Sequence, residues 1–278
     1  MLTTKKLNTI EGLSAGNTAT LRLPIGLTYH EILLQGNADL NVATDIDEIR
    51  VVANGKPIQT IKGSAQINEF NIFDGKATAA TDNLLVISFE RYGLLTRLAR
   101  IQTVLGTGAD FHAENNPFPI TTLSLEIDIA ATAGASLGLT AKARQSAATP
   151  TGAVLKKRQF SYSPAGAGVF EISDLPKGDL INRIWFKGAK IDGLVVERDS
   201  YVLFERDEAE NDRIQSDGVR TTIAGYFIFD PTEEGYGSEG LATRYPNGNR
   251  VSDLRFKLDM SGAEQVDVVV EYIGALGN

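Results

Sequence analysis

The chain has 278 residues, 42% hydrophobic and 22% charged, with no cysteine and a formal net charge of -8. That length suits one large domain or two ordinary ones, and the balance is that of a globular protein, neither disordered nor membrane-spanning. The acidic surplus argues against a nucleic-acid surface, and the lack of thiols excludes disulfides, thiolate catalysis and cysteine–zinc sites.

The opening stretch, MLTTKKLNTIEGLSAGNTATLRL, has Lys5 and Lys6 but no sustained apolar run behind them. It lacks the three-part pattern of a secretory signal, so synthesis in the cytoplasm is expected. No later run approaches the roughly 20 apolar residues that cross a bilayer. Strand-like segments come next: TATLRL (18–23), DEIRVVANGKPI (47–58), LLVISFE (84–90) and TTLSLEIDIA (121–130). The pattern continues in LKKRQFSYS (155–163), LINRIWFKG (180–188), SYVLFE (200–205), DLRFKLD (253–259) and QVDVVVEYIG (265–274). Near-alternation gives each strand one wet and one dry face. Asn54-Gly55 marks a hairpin, because both residues tolerate positive φ. No regular succession of strand and helix appears, so antiparallel all-β is expected. Two segments depart from the pattern. RYGLLTRLARIQTVLG (91–106) sets Leu94, Leu98, Ile101 and Leu105 on one helical face, and acidic DEAENDRIQSDG (207–218) suits a short helix closed near Gly218.

A repeat runs through this series. Leu23, Pro24, Gly26, Ile32 and Gly36 of LPIGLTYHEILLQG recur as Leu175, Pro176, Gly178, Ile184 and Gly188 of LPKGDLINRIWFKG, 152 residues later. IDEIRVV (46–52) faces IDGLVVE (191–197), FNIFD (70–74) faces YFIFD (226–230), and each half closes on an acid-bearing strand, LSLEIDIA (123–130) or VDVVVEYIG (266–274). Core strands hold their spacing while loops drift, so a shared succession points to two tandem domains. The small, strand-poor ATAGAS (131–136) suits a link, dividing the chain into 1–132 and 133–278. About eight strands per half describe two tandem eight-stranded jelly rolls, a double β-barrel with short loop helices. Immunoglobulin-like sandwiches would be shorter, nearer ~100 residues each.

Chemistry is sparse. His30 lies on a strand, where a hydrogen-bonded structural role is expected, and His112 lies in the loop ADFHAENNPFP. Two histidines in dissimilar segments do not make a cupin metal site, and no GxSxG elbow, P-loop or HExxH helix is present. Glu126 and Asp128 share a strand face and mark the one glycosidase-like carboxylate pair. Acidic loops admit calcium, although no EF-hand loop occurs and no cofactor is required. Trp185, Phe186, Tyr201, Phe204, Tyr226, Phe227, Phe229, Tyr236 and Tyr245 suit either a core or a sugar-binding groove. The long loop YGSEGLATRYPNG (236–248), with Tyr236, Arg244 and Tyr245, belongs to the second half only and is the candidate recognition or contact loop.

The paired LPIG…ILLQG and LPKG…IWFKG, FNIFD and YFIFD, and the closing strands LEIDIA and VVVEYIG give a chain that resembles the corticovirus-type double jelly-roll major capsid proteins of tailless, internal-membrane bacteriophages. The resemblance covers the whole chain through architecture. It implies a non-enzymatic virion protein, made in the host cytoplasm, whose homotrimers form pseudo-hexameric capsomers. These would tile an icosahedral shell over a membrane, meeting neighbouring capsomers and penton or minor membrane proteins, without direct nucleic-acid contact. It further implies that Lys5 and Lys6 face anionic lipid and that calcium sits at subunit contacts. The alternatives are a carbohydrate-binding or receptor-binding, spike-like tandem β-sandwich, and a glycoside hydrolase using Glu126 and Asp128.

Overall fold

A computed structural model describes residues 1–108 and 118–277. The chain forms two compact units, one of 1–92, 96–157 and 275–277, the other of 93–95 and 158–274. The division by contacts falls at 157/158, inside a strand, whereas the sequence suggested 132/133.

The first unit holds β1 (Thr3–Lys6), β2 (Thr18–Arg22), β3 (Thr28–Gly36), β4 (Ile46–Ala53), β5 (Lys56–Lys62), β6 (Leu84–Ser88), the two-residue β7 (Leu105–Gly106), β8 (Leu123–Ile129) and β9 (Leu139–Ser146). One sheet runs β1-β9-β3-β6, with β7 also on β3, and the other runs β5-β4-β8-β2. β10 (Val154–Tyr162) leads into the second unit, followed by β11 (Gly168–Ile172), β12 (Leu180–Lys187), β13 (Ile191–Arg198), β14 (Tyr201–Asp207), β15 (Tyr226–Phe229), β16 (Leu254–Met260) and β17 (Val266–Gly274). Its sheets run β10-β17-β12-β15 and β11-β16-β13-β14.

Setting aside the short β7, both units obey one rule. The first strand lies beside the eighth, then the third and the sixth; the second lies beside the seventh, then the fourth and the fifth. That order is the jelly roll. The sheets do not close, so each unit is an open sandwich rather than the barrel expected. Alternation builds the cores. In β8, Leu123, Leu125, Ile127 and Ile129 are buried while Ser124, Glu126 and Asp128 point the other way. In the second unit Ile184, Phe186, Val268 and Val270 from one sheet share a core with Leu194, Val196, Phe256 and Leu258 from the other. These interlocking apolar rows are what hold each sandwich together.

The fold also revises the repeat. β3 and β12 are both third strands, and β4 and β13 are both fourth strands, so those pairings hold. FNIFD and YFIFD do not correspond: FNIFD ends helix α1 (Gly63–Phe73), while YFIFD begins with β15. Ile67, Phe70 and Phe73 are buried at a spacing of three, a helical period that the sequence match concealed. The closing strands are offset as well, because LSLEIDIA is β8, a seventh strand, whereas VDVVVEYIG is β17, an eighth. The true partner of β17 is β9, paired to both β1 and β3, which carries 139–146 into the first unit.

The expected helix over 91–106 is also much shorter. Only α3 (Arg97–Arg100) and one 3-10 turn (Ile101–Thr103) form, after a short α2 (Ala79–Asp82) earlier in the chain. Gly93 at φ 81 breaks the run, the Leu95 amide donates to Gly235 O, and the Thr96 side chain caps α3. Leu94 and Leu105 are buried as expected, but Leu98 is 79% exposed and Arg91 is buried, so the expected face holds only in part. The acidic segment does form α4 (Glu208–Gln215).

Candidate functional site

The 236–248 loop is a stitched structure. Leu241 exchanges backbone hydrogen bonds with Ile181 of β12, at 2.8 and 2.9 Å. Buried Thr243 accepts from the Gly178 amide (2.7 Å) through its hydroxyl oxygen and donates to Asp179 O (2.6 Å). The loop is thereby pinned to the LPKG turn of its own unit. Its three candidate residues then separate in role. Tyr236 is exposed, Tyr245 packs on the core and donates its hydroxyl to Asp199 Oδ1 (2.7 Å), and Arg244 donates to Gly178 O (2.9 Å) and Gly248 O (2.8 Å). Arg244 and Arg250 face one another in an isolated bridge, and both guanidinium groups converge over Gly178.

Lys5 and Lys6 are exposed on β1, at the edge of its sheet, paired opposite Ala143 and Lys142 of β9. His30 is buried, with Nδ1 2.8 Å from Glu90 Oε1 and Nε2 2.9 Å from Ser146 Oγ. This chain of side chains ties β3, β9 and the end of β6 together, as expected for a structural histidine. Burial acts to raise the Glu90 carboxyl, but His30, Arg100 and Arg144 outweigh it and hold it below its usual range. His112 lies outside the described residues.

Glu126 and Asp128 share the expected face, but not as a catalytic pair. Arg50 of β4 donates to Glu126 (2.9 Å) and to both oxygens of Asp128 (2.8 and 3.0 Å), and also pairs with Glu48. The hydrogen bonds from Arg50 hold Asp128 below the usual carboxylate range, helped by Thr18. A glycosidase acid must keep its proton near neutrality, so a pair locked to an arginine does not fit that chemistry. Nor do the nine aromatic residues make a groove: Trp185, Phe186, Tyr226, Phe227 and Phe229 are buried, Phe204 and Tyr245 pack against the core, and the two exposed ones, Tyr201 and Tyr236, lie on separate elements, β14 and the 236–248 loop. Among the described residues no group of three or more His, Asp or Glu side chains gathers for a metal.

The second unit also holds a buried charge cluster that sequence reasoning missed. Asp230, directly after β15, accepts from Arg183 (2.9 Å) and Arg220 (3.1 Å), and its second oxygen accepts from the amide and hydroxyl of Thr232. Burial would raise this carboxyl; the two guanidinium groups and Thr232 reverse the effect and keep it ionised. Arg183 lies on β12 and Arg220 in the loop beyond α4, so no local pattern joins them.

The unfilled surface lies at strand edges. β14 edges its sheet and exposes Tyr201, Val202 and Leu203 in succession, Tyr201 by 75%. Asp199 and Ser200, both at positive φ, turn the chain between β13 and β14 and set this edge outward. An apolar run on a sheet edge is a surface suited to another chain.

Two open jelly rolls of the same strand order, with carboxylates spent in ion pairs and apolar residues displayed at an edge, define a structural protein of the double jelly-roll viral capsid class. Family models agree: the Viral coat protein P2 N-terminal domain matches residues 4–146 and the C-terminal domain matches 154–276. The chain belongs to the viral coat protein P2 family. It is 28% identical over 276 residues to "Major capsid protein P2" of Pseudoalteromonas phage PM2, covering 96% of this chain and 95% of that protein. The crystal structure of that phage's P2 superposes with a TM-score of 0.85 at 25% identity, over 99% of this chain and 97% of the other. The STIV major capsid protein shares the fold at a TM-score of 0.71 and 10% identity, over 99% and 97% of the respective chains. The protein is a major capsid protein and hence a virion component.

Proposed function

We propose that three copies of the chain associate into a pseudo-hexameric capsomer, and that such capsomers tile an icosahedral shell over an internal membrane. The observation that carries this reading is the doubled strand order: two like sandwiches per chain give six comparable elements in a trimer. The exposed Tyr201–Leu203 edge supports association through apolar burial. Light scattering after gel filtration tests it. The expected mass is three times the 30.0 kDa of one chain, and a persistent monomer at high concentration refutes the trimer. Repeating the measurement in EDTA reports on calcium, because loss of the trimer on chelation supports calcium at subunit contacts.

Exposed Lys5 and Lys6 support a lipid-facing role for β1, each basic residue contributing about 1 kcal/mol at an anionic surface. Flotation with phosphatidylserine vesicles, which carry no phosphate monoester, tests it: the double substitution Lys5→Glu, Lys6→Glu is expected to abolish binding, and unchanged flotation overturns the assignment.

A further inference from the structure

The second unit contains a cationic pocket of about 230 Å³, lined by Arg158, Lys177, Asp179, Arg244, Arg250 and Tyr272. Four cations against one carboxylate is an unusual balance in a chain of net charge -8. Asp179 lies against the backbone of Gly274, where a Cβ would come within 2.0 Å of its Oδ1. The basic groups are oriented in part by backbone oxygens: Lys177 donates to Ser252 O (2.8 Å), and Arg244 holds Gly178 O and Gly248 O through Nε and Nη1. Those bonds steady the side chains without neutralising them. The Nη2 atom of Arg244 and the Nε of Arg250 approach Gly178 from one side, at 3.4 and 3.7 Å from where its Cβ would stand. Those separations are ordinary van der Waals contact; it is the backbone of Gly178, at φ 143, that calls for glycine at this turn.

Tyr272 supplies the second, independent observation. It is only 3% exposed, and its hydroxyl has no hydrogen-bond partner among the described residues. A buried hydroxyl left without a partner is costly, so it favours any ligand that supplies one. Burial pushes the group above its ordinary range, Asp179 and Asp174 add to the rise and Arg158 pulls the other way, so it stays a protonated donor at neutral pH. The Arg158 guanidinium sits 5.9 Å from the ring centroid. A surplus of cations in one small pocket, beside a buried tyrosine whose hydroxyl is unspent, is a match for an oxyanion, and that surplus favours a dianion over a carboxylate.

We propose that the pocket formed by Arg158, Lys177, Arg244, Arg250 and Tyr272 binds a phosphate monoester group, carried by a soluble phosphate or by a lipid headgroup. The site does not depend on Lys5 and Lys6, which lie in the other unit.

Calorimetric titration of the full chain with inorganic phosphate tests it. Saturable binding is expected, weakened about tenfold by Arg158→Gln and by Tyr272→Phe, each of which removes one charged or hydroxyl donor. The stronger double substitution Arg244→Ala, Arg250→Ala is expected to abolish it, and Lys5→Ala with Lys6→Ala to leave it unchanged. Acetate is expected to bind at least about tenfold more weakly than phosphate. Two vesicle preparations, phosphatidylcholine alone and phosphatidylcholine with phosphatidate, then separate the sources. Phosphatidate-dependent pelleting that phosphate competes away and Arg158→Gln weakens assigns the group to a headgroup; phosphate binding without pelleting assigns it to a soluble ester. The proposal is overturned by absence of phosphate binding, by binding indifferent to Arg158→Gln and Tyr272→Phe, or by acetate binding as tightly as phosphate.

Discussion

At the scale of single residues, the carboxylates of this protein serve the fold. Asp230 is fully enclosed and bonded on both oxygens, so Asp230→Asn leaves Arg183 and Arg220 buried without their shared counter-charge. The expected loss is about 3–5 kcal/mol of unfolding free energy, measured by urea denaturation. The same geometry sets a pH dependence. Asp230, Asp217, Asp128 and Glu90 are all held below their usual range in the folded chain. A depressed carboxyl contributes stability that is present above its unfolded value, roughly 4, and is lost as the pH falls through its folded value. Urea midpoints are therefore expected to be level from pH 7 to 5 and to fall steeply below about pH 4. A midpoint unchanged down to pH 3 contradicts the assignment. Arg50 was the missing half of the glycosidase question: nothing in the strand bearing Glu126 and Asp128 announces that a neighbouring strand neutralises both.

At the scale of elements, short-range signals behaved as local chemistry requires. In α4 the side chain of Asp207 accepts from the Glu210 amide while Glu210 reaches back to the Asp207 amide, a full capping box. Asp207→Ala is expected to cost about 1 kcal/mol, read from a shift in the urea midpoint. Gly36, at the end of β3, faces a tighter constraint, because a Cβ there would lie 2.2 Å from Leu40 O and 2.8 Å from Asn83 Nδ2. Gly36→Ala is expected to destabilise the first unit by about 1–3 kcal/mol by displacing the strand end, with the same measurement as check. The constraint is looser at the matching Gly188, where a Cβ would meet only side-chain ends, Glu264 at 3.1 Å and Ile191 at 3.2 Å, that can yield. FNIFD misled because five residues bear no period of their own; only the buried spacing back to Ile67 distinguishes a helix from a strand.

At the scale of the molecule, repetition of one strand order is the central fact, and the exposed edge of β14 is where the proposed association is tested. Leu203→Asp places a charge on that edge, 44% exposed in the single chain, and is expected to leave the urea midpoint within about 0.5 kcal/mol of wild type. Gel filtration with light scattering is expected to shift the same variant from trimer to monomer. An unaltered trimer mass moves the interface elsewhere. The sequence by itself determined the all-β class, the duplication, the turn chemistry of Asn54-Gly55 and the short acidic helix after Asp207, because these depend on side-chain period and backbone freedom within a few residues. Only the tertiary structure decided where one sandwich ends, that β9 returns to β1 and β3, and which distant cations meet at Asp230 and around Tyr272. Such pairings are made by strands brought side by side from far apart in the chain, and the alternation of any one strand does not say which neighbour it will have.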